Sequence, residues 1–165
     1  MKFLIPVLLL FISFTSGAQT QYEIIKGNDA KILKGIINRD LLEKDTSFTW
    51  YATNKNGFKP NIKALEGLKK NADSVQLIVF MGTWCEDSHF IIPKLFALTD
   101  AAGLKEKNIT LIGVDRQKKT HGNLAESLNV LNVPTIIVMK NGKEIGRVVE
   151  YGKTGQFDKD LGEIF

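Results

Sequence analysis

A one-domain α/β fold, a central mixed β-sheet flanked by helices, is what this sequence predicts, on three observations. Two nearly unbroken apolar runs at residues 75–81 and 109–114 have the character of strands buried on both faces of a sheet. Between and after them, apolar residues return at helical spacing. Further on, Asn141-Gly142 joins two β-like runs, the strongest short-range signal for an antiparallel hairpin. The chain has 165 residues, 44% hydrophobic and 24% charged, which excludes disorder, collagen and a disulfide-stapled scaffold. Its 22 basic residues against 18 acidic ones give a net charge of +4, scattered in singles and pairs such as Lys69-Lys70, so nucleic acid is not an expected partner.

The first eighteen residues read as an export leader, residues 1–18. Lys2 supplies the positive start, residues 3–14 are almost wholly apolar, and Ser16-Gly17-Ala18 offers the small residues of a cleavage site. The apolar run is shorter than the roughly 20 residues a membrane span needs, so no stable membrane anchor is expected. A periplasm is the expected compartment, and secretion to the exterior is the alternative.

Residues 24–42, with Ile25, Ile32 and Ile36 and then Leu33, Ile37 and Leu41 at intervals of four and seven, predict an amphipathic helix. Residues 19–46 are therefore read as an N-terminal helical extension, and residues 47–165 as the main fold. Residues 47–53, aromatic and β-branched, predict a strand. Asn56-Gly57 marks a turn, and Pro60 is expected in the first turn of a helix reaching Asn71. The strand at 75–81 leads into a helix at 85–102, whose apolar face carries Ile91, Leu95, Leu98 and Ala102. After the strand at 109–114 come a short helix at 121–129, the hairpin strands 135–139 and 143–150, and a closing helix at 153–165. Mostly parallel strands are expected.

Chemistry concentrates in Gly82-Thr83-Trp84-Cys85-Glu86-Asp87-Ser88, where the one cysteine of the chain stands between a buried strand and a helix start. A helix N-terminus carries partial positive charge and unsatisfied N–H groups, which favour an anion such as a thiolate. Glu86 and Asp87 oppose it with two negative charges, although first-turn acids also have a plain role in complementing the helix dipole. His89, one turn on, shares the face of Cys85, where it either assists the thiol or sits solvated at the surface. One Cys and two His cannot supply the three or four ligands of a zinc site, so no metal is expected. Asp115 and Arg116 read as a surface ion pair.

These residues resemble the thioredoxin superfamily. The resemblance covers about residues 47–165 and rests on four features in order: the buried strand running into Trp84-Cys85, Pro93 inside the next helix, Val133-Pro134-Thr135, and the Lys140-Asn141-Gly142-Lys143 hairpin. It implies a thioredoxin-like fold with Cys85 exposed beside a cis peptide bond before Pro134. It also implies a client groove at Trp84, Val133, Pro134 and Thr135, where the Val133 backbone pairs with an extended chain. The dithiol members carry Cys-x-x-Cys, whereas Ser88 holds the second position here, and Val79 stands where those members usually have a buried acid.

A serine cannot attack a mixed disulfide, so exchange at Cys85 would wait for an external thiol or reductase. The expected activity is monothiol disulfide exchange outside the cytoplasm on a protein disulfide or thiol client. Cys85 would be the nucleophile, Ser88 would hydrogen-bond its thiolate, and no cofactor is needed. The rival is a redox-inactive module that keeps the fold and groove to hold a client protein.

Overall fold

The computed structural model describes residues 21–27 and 30–165. Residues 1–18, where an export leader is expected, lie outside the described residues. Among the described residues no helix is long and apolar enough to cross a membrane.

Among the described residues six strands form one sheet. β1 (Tyr22–Lys26) and β2 (Lys31–Ile37) make an antiparallel pair, and β3 (Val75–Met81), β4 (Ile109–Gly113), β5 (Thr135–Lys140) and β6 (Lys143–Val149) complete the order β1-β2-β4-β3-β5-β6. Only β3 and β4 run parallel; the other neighbours are antiparallel, so the expectation of a mostly parallel sheet is corrected. β3 is central, and its residues alternate between two cores. Val75, Leu77, Val79 and Met81 face the larger core with Leu33, Ile91, Leu95 and Leu161, while Phe80 faces the smaller one with Ile112, Val133 and Ile137. Each fully buried side chain of this size contributes about 1.5–3 kcal/mol against about 1 kcal/mol for a net hydrogen bond. Packing on β3 therefore outweighs any single polar contact, and the loop leaving Met81 starts from a fixed base.

The N-terminal segment is not a helical extension. β1 and β2 are strands of the main sheet, with Tyr22 opposite Gly35 and Lys26 opposite Lys31, and β2 continues onto β4 with Ile37 opposite Leu111. The four-and-seven spacing of isoleucines was compatible with a helix, but two features oppose one. Gly35 adopts φ +119°, where a Cβ would lie 2.4 Å from the Gln21 carbonyl oxygen, and the sequence Gly27-Asn28-Asp29 has the composition of a helix breaker between two β-branched stretches. Among the described residues the first helix is α1 (Arg39–Lys44), capped by Asn38, whose side chain accepts from the Leu41 N–H.

Residues 47–53 are not a strand either. Asp45 accepts from the Ser47 N–H and starts a 3-10 turn at Thr46–Phe48, which leads into α2 (Trp50–Lys55). Phe48 and Tyr51, three residues apart, are both buried, and that helical spacing overrides the β preference of their types.

α3 (Ile62–Asn71) is capped by Asn61, so Pro60 lies just ahead of the helix rather than in its first turn. α4 (Glu86–Ala102) runs unbroken through the buried Pro93 and ends at Gly103 in the left-handed conformation. α5 (Leu124–Ser127) is shorter than expected, and α6 (Phe157–Gly162) starts late because the chain first turns through Gly152 and Gly155 at positive φ.

Candidate functional site

β3 ends at Met81, and four residues later α4 begins with Cys85 as its N-cap, in extended backbone (φ −99°, ψ 122°). The cysteine makes no side-chain cap. Its thiol is half-buried and donates instead to the Val133 carbonyl oxygen at 3.3 Å. The Val133-Pro134 peptide is cis, as the resemblance implied. Cys85, Trp84 and Val133 pack in the same small core, so these expected residues do meet.

The loop from Gly82 to Cys85 is held at nearly every polar group. Cys85 N–H donates to the Gly82 carbonyl (3.0 Å), and Gly82 N–H donates to Ser88 Oγ (3.2 Å). His89 Nε2–H donates to the Thr83 carbonyl (2.8 Å), and Trp84 Nε1–H to the Val114 carbonyl (3.0 Å). Thr83, which the sequence reading passed over, is 3% exposed; its hydroxyl donates to the Lys31 carbonyl (2.9 Å) and accepts the Leu33 N–H (3.1 Å).

Ser88 therefore differs from expectation. It is fully buried, and its oxygen braces Gly82 instead of meeting Sγ. His89 is half-buried, and its Nε2 is aimed at the Thr83 carbonyl and not at the thiol. Its ring stacks on Trp50 at 4.3 Å and 15°, and its Nε2–H is engaged by the Thr83 carbonyl. Thr135 does not line a groove: it is 1% exposed and its hydroxyl donates to the Asn132 carbonyl at 2.7 Å. Pro134 is buried too, and its carbonyl accepts the Glu150 N–H at 2.7 Å. Exposed apolar surface beside the site comes from Leu131 and Phe90 instead.

Charge around the thiol is mixed. Glu86 is exposed and Asp87 half-buried in the first turn of α4. Tyr151, unforeseen in the sequence, follows β6 and packs its ring 5.7 Å from Phe90. Burial raises its phenol above the ordinary range, and a hydrogen bond and the negative charge of Asp87, with Cys85 and Glu86 nearby, raise it further. Arg116 lies over the Trp84 ring at 5.5 Å. Asp115 instead pairs with Lys34 of β2 at 2.9 Å. Burial pushes the Asp115 carboxyl up, but the Lys119 N–H and the Lys34 ammonium outweigh it and hold the group below its usual range. Among the described residues no three His, Cys, Asp or Glu side chains gather to hold a metal ion.

A mixed sheet whose central strand delivers a half-buried thiol to a helix start, opposite a cis proline, defines a thioredoxin-like protein. The thioredoxin family profile matches residues 51–162, and the chain belongs to that family. It is similar to thioredoxin of Echinococcus granulosus, 34% identical over 92 residues that make up 56% of this chain and 79% of that one. To thioredoxin of Chlamydia trachomatis it is 35% identical over 89 residues, 54% of this chain and 76% of the relative. Among solved structures, Fasciola hepatica thioredoxin aligns at 24% identity and a TM-score of 0.41, covering 56% of this chain and 84% of that one. Thioredoxin O2 of Arabidopsis thaliana in the oxidised state aligns at 26% and 0.36, covering 52% and 70%.

Proposed function

We propose that this protein exchanges disulfides through Cys85 as a monothiol, outside the cytoplasm. The observation that carries the reading is the position of Sγ: half-exposed at the N-cap of a 17-residue helix, facing the Val133 carbonyl across 3.3 Å. First-turn N–H groups of α4 are there to meet a thiolate, and the Val133 backbone is the edge along which an extended client would lie.

In the reaction the Cys85 thiolate attacks one sulfur of a client disulfide, forms a new S–S bond to it, and expels the other sulfur as a thiolate. With a mispaired client, a client thiolate then attacks the client sulfur of the adduct and frees Cys85, so the number of disulfides is unchanged. With a client capped by a small thiol, Cys85 takes the cap, and an external thiol removes it as a second mixed disulfide. The absence of a second cysteine in the sequence makes that external step obligatory. The export leader at residues 1–18 supports a periplasmic or secreted setting, where client disulfides persist.

One observation favours the second reading, a binding module without turnover. The bond from Sγ–H to Val133 exists only in the thiol form, and Glu86 and Asp87 stand beside it. Capture separates the two readings. Incubated with a protein whose disulfides have been scrambled, the native chain should form an adduct that added thiol releases and Cys85→Ala abolishes. A complex that survives both Cys85→Ala and reductant would replace exchange with binding.

A further inference from the structure

We infer that Thr83 is a positioning residue through which the N-terminal β1–β2 hairpin governs how Cys85 is presented; the inference deepens the exchange reading above and rests on it for its functional meaning. β2 pairs with β4 only from Gly35 to Ile37, where β4 ends at Gly113. Before that point β2 has, among the described residues, no strand neighbour on its β4 side, and the Thr83 side chain fills the place. Its hydroxyl is donor to the Lys31 carbonyl and acceptor of the Leu33 N–H, so one oxygen satisfies two backbone groups two residues apart. A hydroxyl is the smallest side-chain group that can do both.

The opposite side of the same residue is held as firmly. The Thr83 carbonyl takes the His89 Nε2–H, and the imidazole is clamped by its stack on Trp50 of α2. Thr83 is thus fixed by β2 through its side chain and by α2 and α4 through its backbone. The thiol is two residues away on a loop whose remaining anchors, Ser88 to Gly82 and Trp84 to Val114, leave little slack. The profile match begins at residue 51, so the hairpin lies outside the matched residues and the joint ties the two together.

The test uses the full chain with Thr83→Val, which keeps shape and removes both bonds, and Thr83→Ser, which keeps both. The readout is the rate of Cys85 alkylation by iodoacetamide across pH 5 to 10, which needs no client and stands whether or not exchange occurs. Thr83→Val should alter the rate or displace its pH profile by between about fivefold and a hundredfold, the range expected when a reacting group is misplaced by up to an ångström. Thr83→Ser should restore the wild-type profile. A wild-type profile in Thr83→Val would overturn the inference and leave Thr83 a purely structural contact. Should the valine variant not fold, the wild-type protein answers by linkage: alkylating Cys85 should change amide hydrogen exchange at Leu33, and unchanged exchange there overturns the coupling. Failure of the scrambled-client capture with a positive Thr83 result would remove the exchange reading alone.

Discussion

The Trp84 indole lies folded back over Gly82, so close that a Cβ on residue 82 would stand 2.7 Å from ring atom Cε2. The same ring is tied to the residue just after β4 by its bond to the Val114 carbonyl and carries Arg116 over its face. Gly82→Ala must therefore push the indole away from Val114, breaking a 3.0 Å hydrogen bond beside the thiol. The expected outcome is a red-shifted, more quenchable Trp84 emission, read in a Trp50→Phe background because the chain has two tryptophans. Overpacking of this kind costs about 1–3 kcal/mol, measurable by urea unfolding.

Ser88 gives a second prediction. Its removal leaves the buried Gly82 N–H without a partner, at a cost of about 1–3 kcal/mol. Ser88→Ala should lower stability by that amount while the Cys85 thiol stays reactive with iodoacetamide. Full loss of alkylation in a folded Ser88→Ala protein would show that the hydroxyl acts on the thiol after all.

Acid stability should depend on the Lys31–Asp45 ion pair. The Lys31 ammonium, helped by the Ser47 N–H, lowers the Asp45 carboxyl from 3.8 to about 2. A group depressed on folding stabilises the protein above its unfolded value, and that contribution fades as pH falls through the folded one. Asp45→Asn keeps the cap on Ser47 but loses the charge. The stability gap between wild type and Asp45→Asn should be constant above about pH 5 and close between 3.8 and about 2, as read by unfolding at each pH.

Tyr151 supplies a spectroscopic check on the rim of the site. Its phenol is raised by burial and by the neighbouring Asp87. Neutralising a negative neighbour makes ionisation easier, so Asp87→Asn should move its titration to lower pH. Ultraviolet titration, with Tyr151→Phe to assign the signal among three tyrosines, reads the shift.

Much of this architecture was legible because two signals reinforced each other. The run at 75–81 is apolar at every position but Gln76, and it is the central strand buried on both sides. Asn141-Gly142 fixed the β5–β6 hairpin, whose strands pair from Lys140 opposite Lys143. Cys85 and the cis bond before Pro134 were legible through the family motif. The N-terminus was misread because Ile25, Ile32 and Ile36 fit a helical period while Gly35 and the helix-breaking composition of Gly27-Asn28-Asp29 spoke for strands. Ser88 was assigned to the thiol from its place in the Cys-x-x-Ser pattern and His89 was weighed for it by helical spacing, but neither pattern nor spacing tells which partner is nearer. Thr83 and Tyr151 gave no signal of their own: their partners lie far off in sequence, Leu33 of β2 for Thr83 and Asp87 of α4 for Tyr151.

The β1–β2 hairpin also decides which strands of the sheet can meet a stranger. Without it, β4 would present its unpaired N–H and C=O groups at the end of a run of Leu111 and Ile112, an open template for another chain. With it, that role passes to β1, five residues long and bearing Glu23 and Lys26, and at the other margin to β6, bearing Lys143, Glu144 and Arg147. Short, charged margins discourage strand-to-strand association. The segment should therefore hinder self-assembly of the sheet, and a chain shortened to begin after Ile37 should aggregate, as read by light scattering, at concentrations where the full sheet stays dispersed.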